Sequence, residues 1–307
     1  MGITRGSTRL LLDEHKRRPF SGSLLELGKM FVFMDDKELS RWATTHGVDL
    51  REGIDCRASH DPVLAAQGCM DDCSFFERLG FDDVTSLDAA PWEGADLIAD
   101  LNEPIAADLQ DRFDVIFEGG TLHSIFHLPN VLSNVHRMLR PGGRMIHAMT
   151  ASHNQVDLGF YMLSPTFFVD YYAANGWRLE TMLLCEHLAY WVGGKLETGP
   201  WNIYRYETGC LDHLSFGRYG GKQLSIFAVA TKTDESTSDL IPQQGYYREL
   251  WNQDPAERLA RQRARAQEVA AKPWLYQSAL FSAYKRMTER VRRSVLPRRM
   301  PPRVARY

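Results

Sequence analysis

The residues best suited to moving a proton are histidines in the middle of the chain: His123 and His127, then His147 and His153. An imidazole titrates near neutrality, at about 6.5 when unperturbed, so each can serve as a general base if an acceptor proton lies within reach. His123 and His127 are four residues apart and would share a face if one helix spanned both. His153 falls in the loop expected after the run that His147 closes. Three carboxylates, Asp88, Asp100 and Glu118, end the short segments DVTSLD, ADLIAD and FDVIFE. Aspartates at such positions also serve plain turns. A further constellation, Cys56-x3-His60 followed by Cys69-x3-Cys73, offers four zinc-type ligands. Its spacings are looser than paired C-x2-C, unrelated thiols in a packed loop are the commoner reading, and no metal site is assigned.

These side chains need a scaffold, and the hydrophobic pattern supplies one. From Ser23 to Lys232 short apolar runs alternate with helix-like segments, the pattern of parallel strands joined by crossover helices. The strands expected are Ser23–Gly28, Asp83–Asp88, Ala95–Asp100, Phe113–Glu118, Arg144–Met149, Trp177–Cys185 and Gln223–Thr231. Helices are expected around Asp36–Thr45, over Leu128–Leu139 and over Thr166–Ala174. The second is stopped by Pro141-Gly142-Gly143. Residues 47–80 are polar and irregular and read as an insertion after the first crossover helix. No helix fits between Asp88 and Ala95. The stretch Gly193–Gly221, with Trp191, Trp201, Tyr204, Tyr206, Phe216 and Tyr219 in or beside it, reads as a lid or substrate-facing excursion, its aromatics more often packing than stacking on a ligand. Residues 1–22 read as an N-terminal extension, 233–248 as a linker and 249–307 as a helical, basic C-terminal extension.

The run FDVIFEGGTLHSIFHLPNVLSNVHRMLRPGGRMI resembles the fourth strand, following helix and fifth strand of class I S-adenosylmethionine-dependent methyltransferases. Phe113, Asp114, Val115, Leu139, Arg140, Pro141, Gly142 and Gly143 stand at that pattern's positions. The likeness is close over Phe113–Met149 and extends in outline from Ser23 to Lys232. It implies a doubly wound, mostly parallel α/β sheet, a Rossmann-like methyltransferase fold, here with an insertion after the first strand and a helical C-terminal extension. It further implies S-adenosylmethionine as cofactor. Glu26 and Gly28 would lie in the first cofactor loop, Asp88 would accept from the ribose hydroxyls, Asp100 and Leu101 would flank the adenine, and Glu118 and Gly119 would line the site. Asp49 is at the more usual distance from Gly28 for the ribose acid, but only a short apolar run precedes it. Among the histidines, His123, His127 and His153 would serve an oxygen acceptor. Lys29-Met30-Phe31 stands where small residues are usual. Side chains there restrict the turn and the room left for a ligand.

Composition sets the limits. The chain has 307 residues, is 44% hydrophobic and 24% charged, and carries a formal net charge of -3, so it can bury a large core and has no global attraction for nucleic acid. Five cysteines, an odd number, fit a reducing cytoplasm better than a disulfide framework. No segment approaches the roughly 20 apolar residues of a membrane helix. Basic residues cluster in the tail, including Lys285, Arg286, Arg290, Arg292, Arg293, Arg298 and Arg299, interleaved with Tyr284, Met287, Val291, Val295 and Leu296. Such a helix can rest on an anionic membrane, or on its own domain or a second subunit, with a disordered proline-rich end. The expected activity is methylation of an oxygen or nitrogen on a small molecule or glycan. A non-catalytic scaffold that keeps the fold is the alternative. A nicotinamide oxidoreductase is disfavoured because no G-x-G-x-x-G follows the first strand.

Overall fold

The computed structural model describes residues 2–214, 219, 221–272, 278–295 and 300–307. Two compact units share the chain: Met1–Thr208 with Gly221–Pro242 and Pro301–Tyr307, and Gly209–Gly220 with Gln243–Met300. The first holds every strand: β1 (Gly2–Ile3), β2 (Ser23–Leu27), β3 (Phe31–Val32), β4 (Asp83–Asp88), β5 (Leu97–Ile98), β6 (Phe113–Glu118), β7 (Leu139–His153), β8 (Arg178–His187), β9 (Ala189–Val192), β10 (Lys195–Thr198), β11 (Asn202–Arg205), β12 (Gln223–Thr231) and β13 (Arg303–Arg306). It also holds helices α1 (Arg5–Arg17), α2 (Asp36–His46), α3 (Pro62–Ala66), α4 (Asp72–Arg78), α5 (Leu128–Met138) and α6 (Pro165–Ala174). The second unit contains α7 (Gly245–Trp251), α8 (Pro255–Ala270) and α9 (Ala279–Val295).

The main sheet runs β5-β4-β2-β6-β7-β12-β8-β11-β13. Pairing is parallel from β5 to β7 and antiparallel at every step from β7 to β13. Counting its first seven strands in chain order gives 3-2-1-4-5-7-6 with the seventh reversed, the Rossmann-like methyltransferase fold. Chain order reverses direction between β2 and β6, and the crevice beyond their carboxyl ends is where such sheets bind ligands. β2 and β6 are covered on both faces, which is why SLLEL and FDVIFE read as nearly continuous apolar runs. On α5, Val131, Leu132, Val135 and Met138 recur at helical spacing and all are buried. α2 starts on Asp35, whose side chain accepts from the Glu38 N–H at 2.7 Å, and stops on Gly47 at φ 65°.

Four expectations need correction. Residues 1–22 are not an appendage: α1 buries Leu10, Leu11 and Leu12 in the core, and its buried Glu14 accepts from the Arg144 guanidinium at 2.8 Å. The insertion carries two short helices, α3 and α4, capped by Asp61 and Asp71. The excursion begins as a β9/β10 hairpin turning on Gly193 and Gly194, both with positive φ, and continues as β11, an inner strand of the main sheet. Trp201 and Tyr204 are buried, whereas Trp191 is 69% exposed; Phe216 lies outside the described residues. Finally, the tail does not end in disorder. β13 pairs with β11, and Trp201 and Tyr307 exchange both backbone hydrogen bonds at 2.7 and 2.9 Å. His46 meets the Tyr307 ring edge to face at 5.5 Å, and the Arg9 guanidinium lies over that ring. The expected basic helix is α9; Leu296, Arg298 and Arg299 lie outside the described residues.

Candidate functional site

Parallel register brings the expected cofactor residues to one end of the sheet. β4 lies beside β2, so Asp88 ends the strand adjacent to the first loop. Asp49 instead follows the end of α2, exposed and at no strand end. Asp88 Oδ1 accepts from the Ala90 N–H at 3.1 Å. Asp100, after β5, accepts at Oδ1 from the Asn102 backbone and side-chain N–H groups, both at 2.8 Å. Among the described residues the second oxygen of each carboxylate makes no hydrogen bond, so each can accept from a hydroxyl or amine. The following turn is fixed from α5, since the Leu101 carbonyl accepts from Asn130 and Asn134 at 3.1 and 3.2 Å. The His127 N–H reaches Asn102 Oδ1 at 2.9 Å.

The first loop is built differently. Gly28, at φ 81°, turns the chain and donates to the Leu87 carbonyl at 2.7 Å. Glu26 points inward and is fully buried, with no backbone or side-chain N–H directed at its oxygens. Burial and the neighbouring Asp72 carboxylate push its pKa well above the usual range, which favours the protonated form of Glu26. Burial also works against ionising Asp72, but the neighbouring Glu26 carboxyl group and the Lys29 ammonium, 2.7 Å away, hold it below the ordinary aspartate value. Lys29 is likewise kept charged by Asp72 against the effect of burial. Met30 is buried, and a Cβ on Gly119 would come within 2.8 Å of its sulfur. The Met30 side chain therefore lies across Gly119, at the switch point.

Glu118 faces the interior. Its Oε1 accepts from the Gly120 and Leu122 N–H groups at 2.7 and 3.0 Å, and its Oε2 from Thr150 Oγ1 at 2.7 Å and His147 Nδ1 at 3.2 Å. An ionised carboxylate only accepts, so Nδ1 carries the proton, and His147 Nε2 accepts from the Tyr172 hydroxyl at 2.6 Å. Burial would raise the Glu118 pKa, but the His147 bond and the two N–H donors overcome this and hold it below the usual value. Burial pushes the Tyr172 phenol far up. The Glu118–His147–Tyr172 relay is closed to solvent and organises the loop after β6 from within.

The candidate bases do not converge on one helix face. His123 sits in a short 3-10 turn, Leu122–Ser124, and Ile125 is extended. Pro129 in the first turn of α5 sets that helix to start at Leu128, which leaves His127 as its preceding residue. His123 is buried with Nδ1 unpartnered, and burial lowers its pKa, keeping it neutral. His127 is exposed, while His153 is half-buried at the end of β7 with its pKa also lowered by burial. Beside them the loops after β6 and β7 expose Phe126 and Phe160, whose rings meet edge to face at 5.5 Å.

The four-ligand zinc set is not assembled. A bridge between Ala58 and Met70 lays the two ligand pairs antiparallel. The His60 ring stacks on Phe31 at 4.9 Å, Cys69 packs with Phe33 and Leu64, and Cys73 faces Lys29 at 3.9 Å. Among the described residues, the ligand atoms that gather within 4.8 Å of one another are those of Asp71, Asp72 and Cys73. Burial and Asp72 push the Cys73 thiol up to about 12, so it is not a thiolate at neutral pH. Sequence reasoning passed over Asp72 and Tyr172, and read Lys29 only as bulk in the first loop. Their partners lie far away in the chain, and Tyr172 reads simply as a core position of α6.

No protein-family profile matches the chain, and no curated protein matches it. Solved structures do. YcgJ of Bacillus subtilis is 11% identical, with 75% of this chain and 100% of that one covered, at a TM-score of 0.40. The 1,6-didemethyltoxoflavin-N1-methyltransferase of Burkholderia thailandensis is 14% identical over 74% of this chain and 77% of its own, at 0.27; it was solved with 1,6-didemethyltoxoflavin and S-adenosylhomocysteine bound. TehB of Haemophilus influenzae is 13% identical over 73% and 62%, at 0.34. Likenesses of this order speak to the fold alone.

Proposed function

We propose that the chain is an S-adenosylmethionine-dependent methyltransferase acting on an oxygen or nitrogen of a small molecule or glycan. One observation carries the reading. Asp88 ends β4 and Asp100 lies two residues past the neighbouring β5, at the carboxyl ends of the parallel strands, each with a carboxylate oxygen that makes no hydrogen bond among the described residues and can accept from a hydroxyl or amine of a nucleoside. The residues fit the adenosine half of the cofactor. They do not fit its methionine half as they stand, because Met30 covers Gly119 and Lys29 is held by Asp72. When bound, the cofactor would supply an electrophilic methyl group. What this chain's own residues would do is hold the adenosine and present Phe126 and Phe160, on which an aromatic or sugar ring can stack.

The filled methionine position supports a second reading, a scaffold that keeps the fold without the cofactor. Calorimetric titration with S-adenosylmethionine and S-adenosylhomocysteine separates the two. Saturable binding is expected, weakened about tenfold or more in a folded Asp88→Ala protein, which loses a charged acceptor contributing roughly 1.5–3 kcal/mol. No heat at millimolar ligand would leave the scaffold reading standing, and an unchanged Asp88→Ala affinity would remove that residue from the site.

A further inference from the structure

A cleft of about 520 Å³ opens between α5, α6 and residues 238–242, all within the larger unit. Its walls are mainly apolar: Leu128 and Leu132 from α5, Phe167 and Tyr171 from α6, Leu240 and Ile241 from the returning chain. Protein interiors do not leave voids of this size, and the volume falls in the range of small-molecule sites. The third wall is fixed without being packed. Leu240 is tied on both backbone groups to the buried Asn175 side chain, at 3.0 Å each, and the Thr237 carbonyl accepts from Trp177 Nε1 at 2.9 Å. Yet the Leu240 and Ile241 side chains are 54% and 87% exposed. A segment so held, with its apolar side chains unburied, is a preformed wall awaiting an occupant.

Charge narrows the occupant. Asp239 is the one carboxylate among the lining residues, which include no Lys or Arg. The Phe167 and Tyr171 rings stack at 6.2 Å, 9° apart, and offer an aromatic face to a cation. The Tyr171 hydroxyl is buried with no hydrogen-bond partner, and burial together with the nearby Asp239 pushes its pKa up, a sign of negative potential at this wall. We propose that this cleft is a binding site for a small organic cation, an amine on an aromatic or aliphatic body, with the ammonium on Asp239 and the body between α5 and α6. The assignment does not depend on S-adenosylmethionine binding at the strand ends.

The test titrates the full chain with three near-isosteric probes, 2-phenylethylammonium, 2-phenylethanol and phenylacetate, followed by calorimetry and by methyl resonances of Leu128, Leu132 and Leu240. The ammonium is expected to bind at least about tenfold more tightly than the carboxylate, as one charge-assisted contact implies. Asp239→Asn, at an exposed position, should bring the ammonium to the level of the alcohol. Ser133→Phe, placing a ring in the cleft, should abolish binding of all three while the melting temperature shows the fold intact. Equal affinity for ammonium and carboxylate, a preference that survives Asp239→Asn, or binding that survives Ser133→Phe would each overturn the proposal. So would the absence of binding at millimolar ligand, including the case in which sedimentation shows a dimer that Ser133→Phe dissociates, since the occupant would then be a second copy of the chain.

Discussion

Replacing Glu118 by alanine should be among the most damaging single changes to this unit. The carboxylate is fully buried and accepts four hydrogen bonds: two from the Gly120 and Leu122 backbone, one from Thr150 and one from His147. Alanine leaves all four donors buried without an acceptor, and breaking a buried, hydrogen-bonded charge in this way costs about 3–5 kcal/mol. Glutamine keeps one acceptor for the backbone pair but turns an amide N–H₂ toward Thr150 and His147, so about 1.5–3 kcal/mol is expected. Tyr172→Phe removes only the outer bond to His147 and should cost about 1 kcal/mol. Urea midpoints at constant slope read these differences directly. The sign with pH follows from the depressed Glu118 pKa. Its contribution is complete above the unfolded value of about 4.5 and fades as pH falls through the lower folded value, so wild type and Glu118→Gln should converge in acid. An alanine cost below about 1 kcal/mol, or a gap to Glu118→Gln that persists at low pH, would refute the assignment of this carboxylate as the organiser of the loop.

Other outcomes follow from equally local contacts. Asp72→Asn leaves the Lys29 ammonium buried without its counter-ion and should lower stability by about 3–5 kcal/mol, whereas Glu26→Gln, which removes a buried carboxyl group whose ionisation burial opposes, should hold or raise stability at pH 7. Because the Glu26 pKa is raised, wild type loses stability as pH climbs above about 4.5, a slope that urea titrations should find missing from Glu26→Gln. Gly6→Ala should destabilise by about 1–3 kcal/mol in thermal unfolding, since its Cβ would fall within 2.2 Å of the Trp201 ring. Met30→Gly should tighten S-adenosylmethionine binding in calorimetry if the methionine position is blocked only by that side chain; an unchanged affinity in the folded variant shows that Lys29 and Asp72 also exclude it.

Two strands buried on both faces were legible residue for residue: β6 and β12 begin and end where expected, whereas β7, expected over Arg144–Met149, runs from Leu139 to His153 because its pairing with β6 and β12 extends it at both ends. The place of β4 beside the first strand was legible too, once residues 47–80 were read as an insertion. The rest depends on partners distant in sequence. Glu118 and His147 meet because β6 and β7 pair in parallel register at those two positions, and no local pattern announces it. In α1 three consecutive leucines sit among charges, and only packing in the core shows that all three are buried. β13 reads RVAR, four residues with arginine at both ends, and becomes a strand because β11 offers it an edge. His60 and the three cysteines near it looked like ligands because spacing says nothing of which way side chains turn, and here Phe31, Phe33 and Lys29 take three of them.

The altered first loop is better understood as one half of a matched set than as a damaged glycine motif. Placed alone, Lys29 would bury an ammonium at a cost of several kcal/mol, and Glu26 beneath it would add a second buried charge. The insertion offsets the first of these by contributing Asp72 at the start of α4, which pairs with Lys29 at 2.7 Å, and the nearness of the Asp72 carboxylate together with burial favours the protonated form of Glu26. Met30 in the same loop rests on Gly119. The segment that makes the first crossover long is therefore the segment that makes the bulky loop tolerable. Restoring a small residue at position 30 alone opens space over Gly119 but keeps the Lys29–Asp72 pair. Removing Asp72 alone frees Lys29 only by stranding it. Relieving both the Met30 side chain and the Lys29–Asp72 pair requires the loop and the insertion to change together.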